Sequence, residues 1–196
     1  IYLENIADRF PNHIIMKCIL ADAYEMLIEE DKSVEVHRQI LLRQPLNDTS
    51  RQAIAQYYNR QDNFPEAYRL MKEGCEFEPH NLDILISCFD LLWSNEKIDE
   101  AHELLNEALL RLPRNIALRE KIISVCFELG HREKAVETAQ ELSDYYPEGS
   151  YCWYIYGKAI LQSGLYESIN EPIEIYKKAL TFNAGLWCAI QGLFDI

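Results

Sequence analysis

The chain has 196 residues, 48% of them hydrophobic, with seven glycines and no low-complexity stretch, a composition that suits one soluble globular domain and offers no linker. Its 32 acidic residues against 19 basic ones give a net charge of −13, which opposes binding to a phosphate backbone. No run of about 18 apolar residues is present to span a bilayer, and Ile1 to Phe10 lacks the basic-then-apolar order of a secretory signal, so direct membrane insertion is not expected.

Five prolines, Pro11, Pro45, Pro79, Pro113 and Pro147, stand 34 residues apart. Ala67, Ala101 and Ala135 keep the same interval, and one step back lands on Ser33. Asn47, Asn81 and Asn115 follow their prolines by two residues. Proline ends a helix, and a small side chain lets two helix backbones approach. A fixed period in this range marks a stacked unit that buries its apolar face only against its neighbours.

In chain order, residues 1–13 read as the second helix of a preceding unit. Complete helical hairpins follow at 14–47, 48–81, 82–115, 116–149 and 150–186, and 187–196 reads as the first helix of another unit, the whole forming a single domain. Apolar residues recur at helical spacing in each first helix, as in Leu20, Ala21 and Tyr24, or Ile122, Ile123 and Cys126. Second helices carry their own stripe, as in Ala101, Leu104, Leu105 and Ala108. Turn signals separate the two at Asp62-Asn63, Ser94-Asn95, Gly130 and Gly164. The fifth hairpin breaks the period: three residues are inserted near Glu167 to Glu171, the next proline position is Ala184, and Pro172 opens a late-starting helix. The insertion reads either as a tolerated surface loop or as a partner contact. Neither end carries a polar capping helix, so the ends are expected to be covered by further repeats, another subunit or self-association.

Trp153, Tyr156, Gly157, Gly164 and Tyr166 in the fifth unit, and Tyr58, Ala67, Met71 and Pro79 in the second, resemble the tetratricopeptide repeat along essentially the whole chain. The resemblance implies an all-α fold, a right-handed superhelical solenoid of antiparallel helix pairs, with a concave groove lined by the first helices. Side chains there that avoid the core stripe are Gln56, Asn59, Ile86, Asp90, Trp93, Glu120, Lys121, Phe127, Tyr151, Tyr154 and Lys158. Together they make an acidic groove with aromatic anchors, Trp93 and Phe127 foremost, each of which alternatively packs against a neighbouring repeat. The groove suits a basic and apolar protein segment rather than nucleic acid. A carboxylate clamp of the kind some family members use to hold a chaperone tail is not expected, because Cys18, Asp22, Gln52, Gln56, Ile86 and Asp90 offer no cations.

No phosphate loop, zinc motif or nucleophile elbow occurs, so the expectation is a non-enzymatic scaffold with no cofactor and no metal. His13, His37, His80, His102 and His131 lie in different units, and His37 falls on a buried stripe. The six cysteines form no CxxC pair and read as core thiols of a reducing compartment, cytoplasmic or nuclear. The alternative is a regulatory or structural subunit of an enzyme complex, contacted through the ends or the convex face.

Overall fold

The computed structural model describes residues 2–10 and 13–196, so Pro11, the first mark of the proline ruler, lies outside the described residues. Among the described residues the chain is all-helical: α1 (Tyr2–Arg9), α2 (Ile14–Met26), α3 (Glu30–Leu41), α4 (Asp48–Arg60), α5 (Phe64–Phe77), α6 (Leu82–Ser94), α7 (Ile98–Arg111), α8 (Ile116–Glu128), α9 (Arg132–Tyr145), α10 (Ser150–Ser163), α11 (Asn170–Phe182) and α12 (Trp187–Phe194). First helices begin at Ile14, Asp48, Leu82, Ile116 and Ser150, and second helices at Glu30, Phe64, Ile98 and Arg132, each 34 residues after the last of its kind.

The asparagine ruler has a local cause. Asn47, Asn81 and Asn115 are the N-caps of α4, α6 and α8, and their side-chain oxygens accept from the backbone N–H groups of Ser50, Asp83 and Leu118 at 2.9 to 3.0 Å. The small-residue ruler marks buried crossings: Ser33, Ala67, Ala101 and Ala135 are all buried. Turns between paired helices share one left-handed residue at Ile28, Asp62, Glu96, Gly130 and Gly164, again 34 apart. In the third hairpin that residue is Glu96, just past the expected Ser94-Asn95.

The connection from α10 to α11 holds residues 164–169, six against the three of the other hairpins, and α12 starts 37 residues after α10. Pro172 stands in the first turn of α11, where its missing N–H leaves no helical bond unmade. It is buried and stands 37 residues after the buried Ala135.

The chain forms two compact units, Ile1–Asn106 and Glu107–Ile196. In the first, α2 packs on α3 and α4 on α5, while α1, α3 and α5 each pack on the following first helix. In the second, α8 pairs with α9 and α10 with α11, and α9 and α11 pack on α10 and α12. First helices also touch directly, α4 with α6 and α8 with α10, which sets their outward faces side by side.

In three of the hairpins the residue six places after the proline is a side-chain donor, whereas after Pro79 that place is the buried Leu85. Arg51 donates to the Pro45 carbonyl at 2.6 Å, Arg119 to the Pro113 carbonyl at 2.8 Å, and the Trp153 indole N–H to the Pro147 carbonyl at 2.8 Å. Both arginines are buried and reach a second carbonyl, Leu70 for Arg51 and Thr138 for Arg119. Each lies near a glutamate on the following second helix, Glu73 at 3.8 Å and Glu141 at 2.8 Å. Where tryptophan replaces arginine, lysine replaces glutamate: the Lys178 ammonium sits 3.5 Å from the centre of the Trp153 ring. Where a donor is present it bonds the proline carbonyl and ties the corner between hairpins together, and Leu85 fills the same place by apolar packing.

Candidate functional site

The outward faces of α8 and α10 enclose a hollow of about 460 Å³. Its walls are Ile123, Phe127, Tyr154, Ile155 and Ala159, and its polar groups are Glu120, Ser124, Glu128, Tyr151, Lys158 and Gln162. Five of the six candidates of this half, Glu120, Phe127, Tyr151, Tyr154 and Lys158, meet here; the half-buried Lys121 does not line the hollow. The Tyr151 and Tyr154 rings stand 5.7 Å apart, and Tyr154 continues to the buried Tyr176 ring at 6.1 Å. This row of rings gives the wall a rigid aromatic surface rooted in the core.

The Tyr151 hydroxyl donates to Glu120 at 2.8 Å. That bond, followed by burial and the carboxylate charge, pushes the Tyr151 phenol up to about 12. Between the ordinary tyrosine value of about 10 and that raised value, the folded chain keeps a proton that the unfolded chain has released. The contribution of Tyr151 to stability is therefore complete below the lower limit and is lost as pH climbs through this window. In a near-ultraviolet absorbance titration, Glu120→Gln should bring the Tyr151 ionisation midpoint down by removing the carboxylate charge and leaving only a weaker, neutral acceptor. An unchanged midpoint would show that Glu120 does not hold the proton.

In the first unit the candidates are dispersed. Ile86 lines a separate hollow of about 530 Å³ between α4 and α6, with Asp48, Thr49, Gln52, Asp83 and Ser87. Gln56 and Asp90 are exposed. Asn59 accepts from the Asn95 side chain at 2.8 Å and so ties the ends of α4 and α6 together. Trp93 is half-buried with its ring 5.3 Å from that of Phe89 on its own helix, so much of its apolar area is already covered. Of the two foremost aromatics, Phe127 faces a hollow and Trp93 lies on a neighbour.

Among the described residues no three of histidine, cysteine, aspartate and glutamate come together as a metal-holding group. His37 is buried, 3.0 Å from the Ser50 hydroxyl and 3.5 Å from Glu25. None of the six cysteines is in a disulfide. Burial pushes the thiols of Cys18, Cys126 and Cys152 up, and a hydrogen bond with Cys75, then burial, does so for Cys88, which disfavours the reactive thiolate. No helix among the described residues is long and apolar enough to cross a membrane.

No family model matches the chain, and no curated protein matches it. Solved structures do. YrrB, described as a TPR protein with an unusual peptide-binding site, is similar at 14% identity over 96% of each chain with a TM-score of 0.52. MamA is similar at 16% identity over 87% of this chain and 92% of its own, with a TM-score of 0.55. A tetratricopeptide repeat protein from Parabacteroides merdae is similar at 16% identity over 97% of this chain and 73% of its own, with a TM-score of 0.52. With paired helices on a 34-residue period and this likeness along nearly its whole length, the chain has the tetratricopeptide-repeat fold.

Proposed function

We propose that the chain is a non-catalytic protein-interaction module that captures a basic and apolar segment of a partner on the faces of its first helices. The observation that carries this reading is the α8–α10 hollow. It combines an aromatic and aliphatic wall with the carboxylates Glu120 and Glu128 at its edge. An apolar side chain of the segment would enter against Phe127 and Tyr154, and an adjacent lysine or arginine would meet the carboxylates. Lys158, exposed on the same face, sets register by disfavouring a second cation beside it. A peptide-binding site on YrrB, a protein of the same fold, is consistent with this use of the fold, as analogy only.

Selection of random displayed peptides on the whole chain should enrich sequences that mix aromatic or aliphatic residues with lysine or arginine. Truncating a central aromatic anchor costs about 2 kcal/mol, so Phe127→Ala or Tyr154→Ala should weaken the selected peptides roughly thirtyfold in Kd. Unchanged affinity in both variants, with the fold intact by circular dichroism, would defeat the reading. The alternative, a structural or regulatory subunit of an enzyme complex, draws support from Trp187 and Phe194, both largely exposed on α12. In that case Trp187→Ala, and not Phe127→Ala, should break the assembly. Tyr2 is the corresponding residue near the other end, and its side chain lies outside the described ones.

A further inference from the structure

The outward stripe of α2 differs from those of the other first helices in its unit. Positions 15, 19, 22 and 26 are Ile15, Ile19, Asp22 and Met26, whereas the same places on α4 are Thr49, Ala53, Gln56 and Arg60, and on α6 Asp83, Ser87, Asp90 and Ser94. The repeats serve as an internal control: the fold does not require an apolar stripe here. Ile15 is 66% exposed and Met26 is 86% exposed, and the stripe runs on into Leu27 and Ile28, the latter 82% exposed. Ile28 also occupies the left-handed turn position at φ 61°, which Asp62, Glu96, Gly130 and Gly164 fill in the other hairpins. A β-branched side chain is strained there and apolar side chains lose nothing by leaving water, so neither local structure nor solubility accounts for isoleucine.

The surroundings say what would cover it. Beside Ile28 lies a hollow of about 460 Å³ whose polar groups include Glu29, Glu30 and Asp31. With Asp22 and Glu25 on α2, five carboxylates border the ridge, and the neighbouring cations are Lys32, paired with Glu29, and Arg60, 3.4 Å from Glu30. An apolar ridge with an acidic border matches a helix that carries aliphatic side chains on one face and lysine or arginine beside them. A second copy would set acidic border against acidic border, and an anionic lipid surface would be repelled.

We propose that the α2 stripe and the α2–α3 turn form a second docking surface, distinct from the α8–α10 hollow, for a cationic amphipathic helix of a partner protein. Aliphatic side chains one turn apart would lie along Ile15, Ile19 and Met26. A cation between them would meet Asp22, and a guanidinium would enter the hollow beside Ile28.

The test uses fluorescence anisotropy at physiological salt with the whole chain and three labelled peptides: an amphipathic leucine–lysine helix, its leucine–glutamate counterpart, and an oligolysine of equal charge. The leucine–lysine helix should bind at least tenfold more tightly than the other two. Measured in the Phe127→Ala background, which disables the α8–α10 hollow, Met26→Ser and Ile28→Gly should each weaken it tenfold or more, which separates this surface from the other one. Ile28→Gly should at the same time raise the unfolding midpoint by a few degrees, because glycine adopts positive φ without strain. Loss of binding then cannot come from misfolding. Wild-type affinity in both variants would overturn the proposal, as would failure of the leucine–lysine helix to bind. It would also be overturned if the chain alone formed a concentration-dependent dimer abolished by Ile28→Gly, or if neutral phosphatidylcholine vesicles took it up in an Ile28-dependent way.

Discussion

Tyr176→Ala is expected to destabilise the second unit by about 3–5 kcal/mol, the range for removing a large buried ring from a core that cannot fully collapse. Tyr176 is 2% exposed on α11, and it is held between two glycines on neighbouring helices. A Cβ added at Gly157 of α10 would stand 3.0 Å from the ring, and one added at Gly192 of α12 would stand 2.7 Å from its Cζ. Both helices can approach α11 only because the ring takes the space that their side chains would need. Gly192→Ala should therefore cost about 1–3 kcal/mol in the native background by overpacking. With Tyr176→Ala present the clash is gone, and the same change should stabilise by up to about 1 kcal/mol through helix propensity. That reversal of sign, read from urea unfolding of the four proteins of the cycle, is the decisive outcome. If Gly192→Ala has the same effect in both backgrounds, the ring does not fill that space.

The second large effect is expected at Arg119. Its ion pair with Glu141 looks like the main contribution, but the Glu141 side chain is 55% exposed, which limits the pair to under about 1 kcal/mol. The guanidinium also donates to the Pro113 carbonyl at 2.8 Å and to the Thr138 carbonyl at 3.4 Å, and hydrogen bonds from a charged group contribute about 1.5–3 kcal/mol. Arg119→Ala should accordingly lose about 3 kcal/mol or more, Arg119→Met about 2 kcal/mol because packing volume is kept, and Glu141→Gln less than about 1 kcal/mol. A Glu141→Gln loss as large as that of Arg119→Ala would place the energy in the ion pair. The tyrosine stack of Arg119, with its guanidinium carbon 4.9 Å from the Tyr145 ring centre, adds to the packing part of this loss.

The proline, alanine and asparagine rulers are visible in the sequence because each states a local requirement: chain exit, close helix approach and N-cap. Such requirements recur wherever the same corner recurs, so period alone led to paired helices and to the late start of α11. The corner donor recurs in three hairpins under a chemical disguise, with Leu85 in its place in the third hairpin. Arg51, Arg119 and Trp153 share one job under different names, and only the common target, a proline carbonyl, reveals it.

The candidate site divided along similar lines. Helical spacing placed Phe127, Tyr151 and Tyr154 on an outward face, because a face is a matter of 100° per residue. Which of those side chains meet across two helices depends on how α8 and α10 pack, and that gathered five of the candidates around one hollow while Trp93 came to rest on Phe89. The exposed α2 ridge escaped notice for the converse reason. Ile15, Ile19 and Met26 are exposed, and hydrophobicity in a sequence says that a side chain avoids water but not whether a neighbour has covered it. Residue order thus determined the repeat, its boundaries and its caps, which are set within a few residues along the chain. The tertiary structure alone decided which apolar faces remain open, because that depends on contacts between helices far apart in sequence.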